Sequence, residues 1–262
     1  MAVEQPRGTE RIVAQNKSAA IDGAPIAYIV VLASVVTALA FIPFSIQLGL
    51  GGSFPMYQGI LGLIGWVLGP IAGAIASGIG ALIGAFIAPH TSTVWFVSVI
   101  GAVVASFAAG TMMVGNQRRK YWWMGVALLT VIALMIFLGR AIFVNGIALQ
   151  WAILATFVNW SALLLFIFPT RTLVAKWIGS KKVSQIAAGL ALGTWICYGL
   201  AHTFQGAITY TMFNWPEEIW VGLSTIIPIE FMARAGIAAV IGTGVIVGLR
   251  AIGLVKPTEA IY

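Results

Sequence analysis

The sequence predicts an all-α integral membrane protein, a bundle of about eight transmembrane helices, and three observations carry that prediction. Hydrophobic residues make up 60% of the 262, charged residues 8%, and the mean hydropathy is +1.01. A soluble domain needs about a quarter of its residues charged to clothe its surface; this chain would leave broad apolar areas facing water. The apolar residues fall in long unbroken runs, whereas barrel strands alternate in runs of about ten, so helices are the way this backbone satisfies its polar groups in lipid. The basic residues sit in short clusters between the runs, the pattern by which a bilayer protein sets its orientation.

Taken in order, residues 1–23 form a polar tail without the apolar core of a cleavable signal peptide. A transmembrane domain covers 24–253, and 254–262 is a second short tail. The first span runs over 24–47 and leads into an uncharged, glycine-rich stretch at 48–57. The apolar run 56–88 is broken by Gly69-Pro70, because proline offers no helical N–H and biases its predecessor away from helix. Two spans follow from that break, a short one at 56–69 and another at 70–88, with the spacing Gly65-x3-Gly69-x3-Gly73 as a small-residue ladder for close packing. Further spans are predicted at 93–114, 121–140, 147–168, 184–212 and 220–250.

Charge tests the count. Arg118, Arg119 and Lys120 lie in one loop, and Arg171, Lys176, Lys181 and Lys182 in another; Arg7, Arg11 and Lys17 occupy the first tail, and Arg250 and Lys256 the C-terminal region. Eight crossings place all four groups on one side, cytoplasmic by the positive-inside rule, so both termini are in and the protein sits in the cytoplasmic (inner) membrane. The opposite loops hold Glu217 and Glu218, with Arg140 as the exception.

Several function classes fall away. The net charge of +7 follows topology rather than a nucleic-acid surface. Cys197 is the single cysteine, so no intrachain disulfide or cysteine metal cluster is expected. His90 and His202 stand apart, without zinc-ligand spacing or support for haem or chlorophyll, and no cofactor is predicted. There is no Walker motif. Ser77-Gly78 lacks the glycine two places upstream that a rhomboid-type serine needs, Ile75 standing there. The chain is not read as an enzyme.

Polar groups inside spans are costly, so each has a structural and a functional reading. Glu230 and Arg234 are four apart in the last span, acid first, the favourable order for a helix pair; they either satisfy each other or form one wall of a ligand cavity. His202 and Gln205 share a helix face, and Asn159-Trp160 lies mid-span. Amides beside aromatic faces suit a planar heterocycle, and equally suit interhelical hydrogen bonds. Gln47, Ser53, Tyr57, Gln58 and Trp95 cluster near the outer span ends, where Trp215 and Trp220 read as interfacial anchors.

The outer loop Gly51-Gly-Ser-Phe-Pro-Met-Tyr57 leads into Gly62-x2-Gly65-x3-Gly69-Pro-x2-Gly73-x4-Gly78-x-Gly80, and the last span reads Ile227-Pro-Ile-Glu-Phe-Met-Ala-Arg-Ala-Gly-Ile-Ala-Ala-Val-Ile-Gly242. These segments, a third of the chain, resemble the second, third and final helices of the substrate-binding S-components of energy-coupling factor (ECF) vitamin transporters. The resemblance implies a binder for a vitamin-like small molecule, captured from outside beneath the loop after the first helix. It also implies partners, a transmembrane coupling subunit and two ATPases, docked through small residues on the first helix. The nearest match to that docking face is Ala33-x3-Thr37 overlapping Ser34-x3-Ala38, which departs from the usual paired alanines. Six helices are usual in the family, so this chain reads as that core plus an extra pair within 121–182.

The expectation is therefore a solute-binding component in which Tyr57, Trp95 and Trp160 bury a planar ligand and Gln58, Asn159, His202, Gln205 and Glu230, with Arg234 beside it, orient it. Two rivals stand: an accessory subunit of a larger membrane complex, and a secondary transporter, which the lack of an inverted repeat disfavours.

Overall fold

The structure is a computed structural model that describes residues 19–46, 53–112, 119–253 and 256–262. Gln47, Gly51, Gly52, Arg118 and the tail cations Arg7, Arg11 and Lys17 lie outside the described residues.

Helices dominate, as the unbroken apolar runs require. A two-residue antiparallel pairing of β1 (Ala20–Ile21) with β2 (Ala24–Pro25) precedes α1 (Ile26–Leu39). A second small hairpin, β3 (Pro43–Ile46) with β4 (Ser53–Pro55), fills the place of the glycine-rich loop. A 3₁₀ turn, Met56–Gly59, then enters α2 (Leu61–Leu68), every residue of which is buried. The predicted span 56–69 is thus mostly shorter than a helix crossing: eight residues rise about 12 Å, well short of a hydrocarbon core of about 30 Å, and the hairpin and 3₁₀ turn supply the rest of the descent.

Gly69 and Pro70 make the break as predicted. Gly69 has φ +89°, a conformation that side chains rarely adopt, and Pro70 opens α3 (Pro70–Ile87) where its missing N–H costs nothing. The glycine ladder works differently from a one-face helix ladder. Gly69 is the turn, so Gly65 and Gly73 face each other across it, and a methyl added at Gly73 would lie 2.8 Å from Gly65 Cα. Gly80 and Gly84 receive α1, beside Val36 and Ala40 respectively.

The chain continues through α4 (Trp95–Thr111), α5 (Trp122–Gly139) with a π turn at Arg140–Val144, and the pair α6 (Leu149–Ala155) and α7 (Phe157–Ile167), bent by 59°. Residues expected to be a basic loop instead form α8 (Thr170–Ile178), a short helix that buries Val174, Ala175 and Ile178. The last two helices are long: α9 (Val183–Met212) and α10 (Glu217–Ala251). Among the described residues, Pro70–Ile87, Trp122–Val144, Val183–Met212 and Glu217–Ala251 are long and apolar enough to cross a membrane, and the bent α6–α7 pair makes a fifth. The protein is a multi-pass, all-α membrane protein.

Side-chain contacts set the helix directions. Thr37 donates to Gly80 O (3.2 Å), so α1 and α3 run side by side. Gln205 donates to Val97 O (3.2 Å), which sets the start of α4 beside the last turns of α9. Asn159 donates to Thr203 Oγ1 (3.0 Å) and Trp195 to Ser161 Oγ (3.2 Å), which makes α7 antiparallel to α9. At one end of the bundle Glu217 accepts the Ala148 N–H (2.8 Å). At the other, Arg250 donates to the carbonyls of Ser180 (2.5 Å) and Ile178 (2.9 Å). Arg119, Lys120, Arg171, Lys176, Lys181, Lys182, Arg250 and Lys256 therefore share a basic end, while Arg140, Glu217 and Glu218 share the opposite, neutral end.

Residues 256–262 are not a free tail. The Ile261 N–H donates to Trp66 O (2.8 Å), and Ala260 and Tyr262 are buried. Arg119 bonds both carboxylate oxygens of Asp22 and lies 4.0 Å from Glu259. Beneath these ties the core runs through the bundle, and a second apolar cluster of Phe137, Tyr210 and Trp220 fills the neutral end. Trp220 is fully buried there, edge-on to Tyr210 at 4.5 Å, rather than an interfacial anchor.

Candidate functional site

A cavity of about 90 Å³ opens among β4, α4, α5, α6, α9 and α10, on the neutral-end side of the bundle. Helical spacing assembles its polar wall. His202, Gln205 and Thr209 recur at three- and four-residue steps on α9, and Glu230 and Arg234 do the same on α10, so each set projects from one face. Ser98 and Val97 come from α4, Phe54 from β4 and Phe137 from α5; Trp215 and Trp220 complete the apolar side. The space holds about three waters at ~30 Å³ each. That is a polar head-group's volume rather than the ~300 Å³ or more of a site enclosing a whole ligand.

Arg234 is the most deeply held charge. It stands midway along α10, 2% exposed, and its guanidinium carbon lies 4.9 Å from the Tyr198 ring, 5.1 Å from Phe231, 5.3 Å from Phe44 and 5.5 Å from Phe54. Aromatic faces attract a cation through the ring quadrupole, which offsets part of the cost of burying it. Among the described residues its single hydrogen bond runs from Nη2 to Glu230 Oε2 at 3.3 Å. Nε and Nη1 are buried without hydrogen-bond partners, as is Gln205 Oε1.

Behind His202 the hydrogen bonds fix a direction. The Thr203 hydroxyl donates to Gly199 O (2.9 Å), so Thr203 Oγ1 accepts from Asn159 Nδ2 (3.0 Å). The same amide nitrogen lies 3.1 Å from His202 Nδ1, which must then accept. With Asn159 Nδ2 donating to it, Nδ1 carries no proton and the neutral ring's proton sits on Nε2.

The predicted residues divide clearly. His202, Gln205, Glu230 and Arg234 line the cavity together. Asn159 is fully buried and positions His202 from behind. Tyr57 and Gln58 are 1% and 2% exposed in the 3₁₀ turn; they lie in the core beside the site and do not line it. Trp95 does not reach the cavity: it heads α4, is 48% exposed and packs on Phe86 at 5.9 Å. Trp160 is one step of about 100° beyond the inward-facing Asn159, so it turns away, donates to Ile153 O (3.2 Å) and meets Phe157 edge-on. The expected sandwich of Tyr57, Trp95 and Trp160 is therefore not formed. The rings that do face the cavity are Phe54, Phe137, Trp215 and Trp220. Sequence reasoning had a signal for Thr209, which continues the His202–Gln205 face, but none for Phe54, whose place depends on the β3–β4 hairpin.

The predicted docking face on α1 also divides. Ala33 is buried, and Thr37 is spent on Gly80 O, both turned toward α3. Ser34 and Ala38 are exposed, with Val30, Val31 and Val35 around them. Among the described residues no three His, Cys, Asp or Glu side chains converge to hold a metal. Comparison with protein-family models, curated proteins and solved structures returned no match.

Proposed function

We propose that this chain is the membrane-embedded solute-binding component of an ECF-type uptake transporter, capturing a small organic molecule from the neutral end. The observation that carries the reading is the cavity itself: Gln205 and Arg234, whose side chains hold buried hydrogen-bonding atoms without partners among the described residues, line a space walled by aromatic rings. Buried polar atoms are costly to leave unsatisfied, by about 1–3 kcal/mol each, so a site that keeps several around a void is built to receive a polar ligand. The sequence resemblance supports the same reading, as does the arrangement of the bundle. Setting aside α5, α6–α7 and the short α8 leaves six helices, α1–α4, α9 and α10, and these provide every polar side chain of the site.

By the positive-inside rule the basic end is cytoplasmic and the neutral end faces out. The cavity accepts the head of the solute, and complete capture requires its lining to part, because binding and release need different conformations. A coupling subunit and two ATPases would drive release. The exposed Ser34–Ala38 strip of α1 suits the coupling subunit, since small side chains let helix backbones approach in lipid.

Mass spectrometry of small molecules released from the detergent-purified chain tests this. A near-stoichiometric organic solute, lost in a Glu230→Ala/Gln205→Ala variant, is the expected result. A chain that carries no solute but retains membrane-protein partners would replace this reading with that of an accessory subunit.

A further inference from the structure

We infer that the solute carries a carboxylate, anchored by Arg234, and an N–H donor, received by Glu230 and the Gln205 side-chain oxygen. The inference rests on the solute-binding reading and names the chemical class of ligand that the site takes. It begins with the unequal pairing of Arg234. A guanidinium has five N–H donors in a planar fork matched to a carboxylate. Here it is 2% exposed, and one 3.3 Å contact to Glu230 is its hydrogen bonding among the described residues, leaving Nε and Nη1 buried and unbonded there. The four surrounding rings attract the charge through their faces but accept no strong hydrogen bond at the nitrogen edge. Nε and Nη1 lie on different edges of the guanidinium, so an acid group engages two nitrogens at once by taking either of them together with Nη2, which the long Glu230 contact holds only weakly. That fork is the geometry that makes Arg–carboxylate contacts short and strong.

Charge balance sets the second half. Glu230 and Arg234 together are neutral, so an anion alone would leave the buried site with a net charge, which a low-dielectric interior penalises. A solute that brings its own donor or cation keeps the sum near zero. Both acceptors for it are in place: Glu230 lines the cavity with its carboxylate held by only the long Arg234 contact among the described residues, and Gln205 Oε1 is unpaired while its Nε2 is fixed on Val97 O. His202 lines the same wall of the cavity. A carboxylate's few heavy atoms also fit a cavity of about 90 Å³.

The test uses the full chain purified in mild detergent. Released solutes are analysed by mass spectrometry before and after acid-catalysed methyl esterification, from the native protein and from Arg234→Gln and Arg234→Lys. The expected result is one bound compound that gains a methyl ester. Its affinity should be about 10- to 100-fold weaker in Arg234→Gln, the loss of a bidentate charged contact, and intermediate in Arg234→Lys, which keeps the charge without the fork. A bound compound that does not esterify overturns the inference while leaving the solute-binding reading intact. So does equal retention by folded Arg234→Gln; should that variant aggregate, unaltered affinity in Arg234→Lys has the same force. An empty native chain overturns both readings together.

Discussion

At the scale of single residues, the glycines separate packing from mere abundance. Gly65 is pressed against α4, and a methyl there would collide with the Ser106 carbonyl oxygen and lie 2.8 Å from Ala109 Cβ. The same helix contact is tied by the Ser106 hydroxyl, which donates to Leu61 O (2.7 Å) and meets Ser77 Oγ (2.5 Å). Backbone cannot step aside as a flexible side-chain tip can, so Gly65→Ala should cost at least the 1–3 kcal/mol typical of overpacking, roughly. Gly244 on α10 has nothing within 4 Å of an added methyl. Gly244→Ala should therefore leave the isolated chain as stable or slightly firmer, since alanine suits a helix better by about 1 kcal/mol. Thermal unfolding in detergent of the two variants beside the native chain decides it. Equal melting temperatures for both would mean that α2 and α4 are not in backbone contact. Composition alone does not make this distinction: both glycines stand in apolar runs, and only the α2–α3 fold-back shows which one meets a neighbour.

At the scale of elements, the docked segment 256–262 is the part of the fold least legible in the sequence. A short polar stretch after a basic helix end reads as a tail, yet here Asp22, Arg119 and Glu259 gather it beneath α2, with Ile261 bonded to Trp66 O at 2.8 Å. Ion pairs between residues 97 apart leave no local trace. The Gly69-Pro70 break, by contrast, was legible because its cause is local: φ +89° needs glycine, and proline suits the first helical turn. Protonation should leave the tail docked over the ordinary pH range. The hydrogen bond that Arg119 donates to Asp22, above all, raises its guanidinium above the usual arginine value, so its contribution is whole below that value and is lost only on passing the raised one. Burial raises the Tyr262 phenol above 10.0, with the same sign. Burial, then Arg250, lowers Lys256, so its charge opposes docking until pH climbs through that lowered value. Amide hydrogen exchange of the 256–262 peptide, corrected for intrinsic rate, should thus be flat from about pH 6 to 8 and should speed up in Arg119→Ala. Unchanged protection in that variant would show that the ion pairs do not hold the segment.

For the whole molecule, what was legible follows from the bilayer. Long apolar runs and clustered cations predict helices and a common side for the basic loops, and the described cations other than Arg140 and the buried Arg234 do collect at one end. Crossing by crossing, the pattern is coarser. The 56–69 limb divides between a 3₁₀ turn and an eight-residue helix, the 147–168 span is bent by 59°, and part of the basic loop 170–182 coils as α8. Hydropathy reports burial in something apolar and is blind to whether lipid or neighbouring helices provide it, which is why the wholly buried α2 looked like a span. The site was half legible for a related reason: polar residues in spans stand out, but the rings opposite them arrive from distant elements. Orientation is where the fold and the proposed capture from outside meet, and single cysteines test it. With Cys197→Ser as background, one cysteine replaces Lys181 at the basic end or Glu218 at the neutral end; Lys181 and Glu218 lie in polar segments at opposite ends of the bundle. A membrane-impermeant maleimide applied to intact cells should label position 218 at once and position 181 only after permeabilisation. The reverse pattern would turn the cavity's nearer end toward the cytoplasm, and uptake from outside would no longer be open to it.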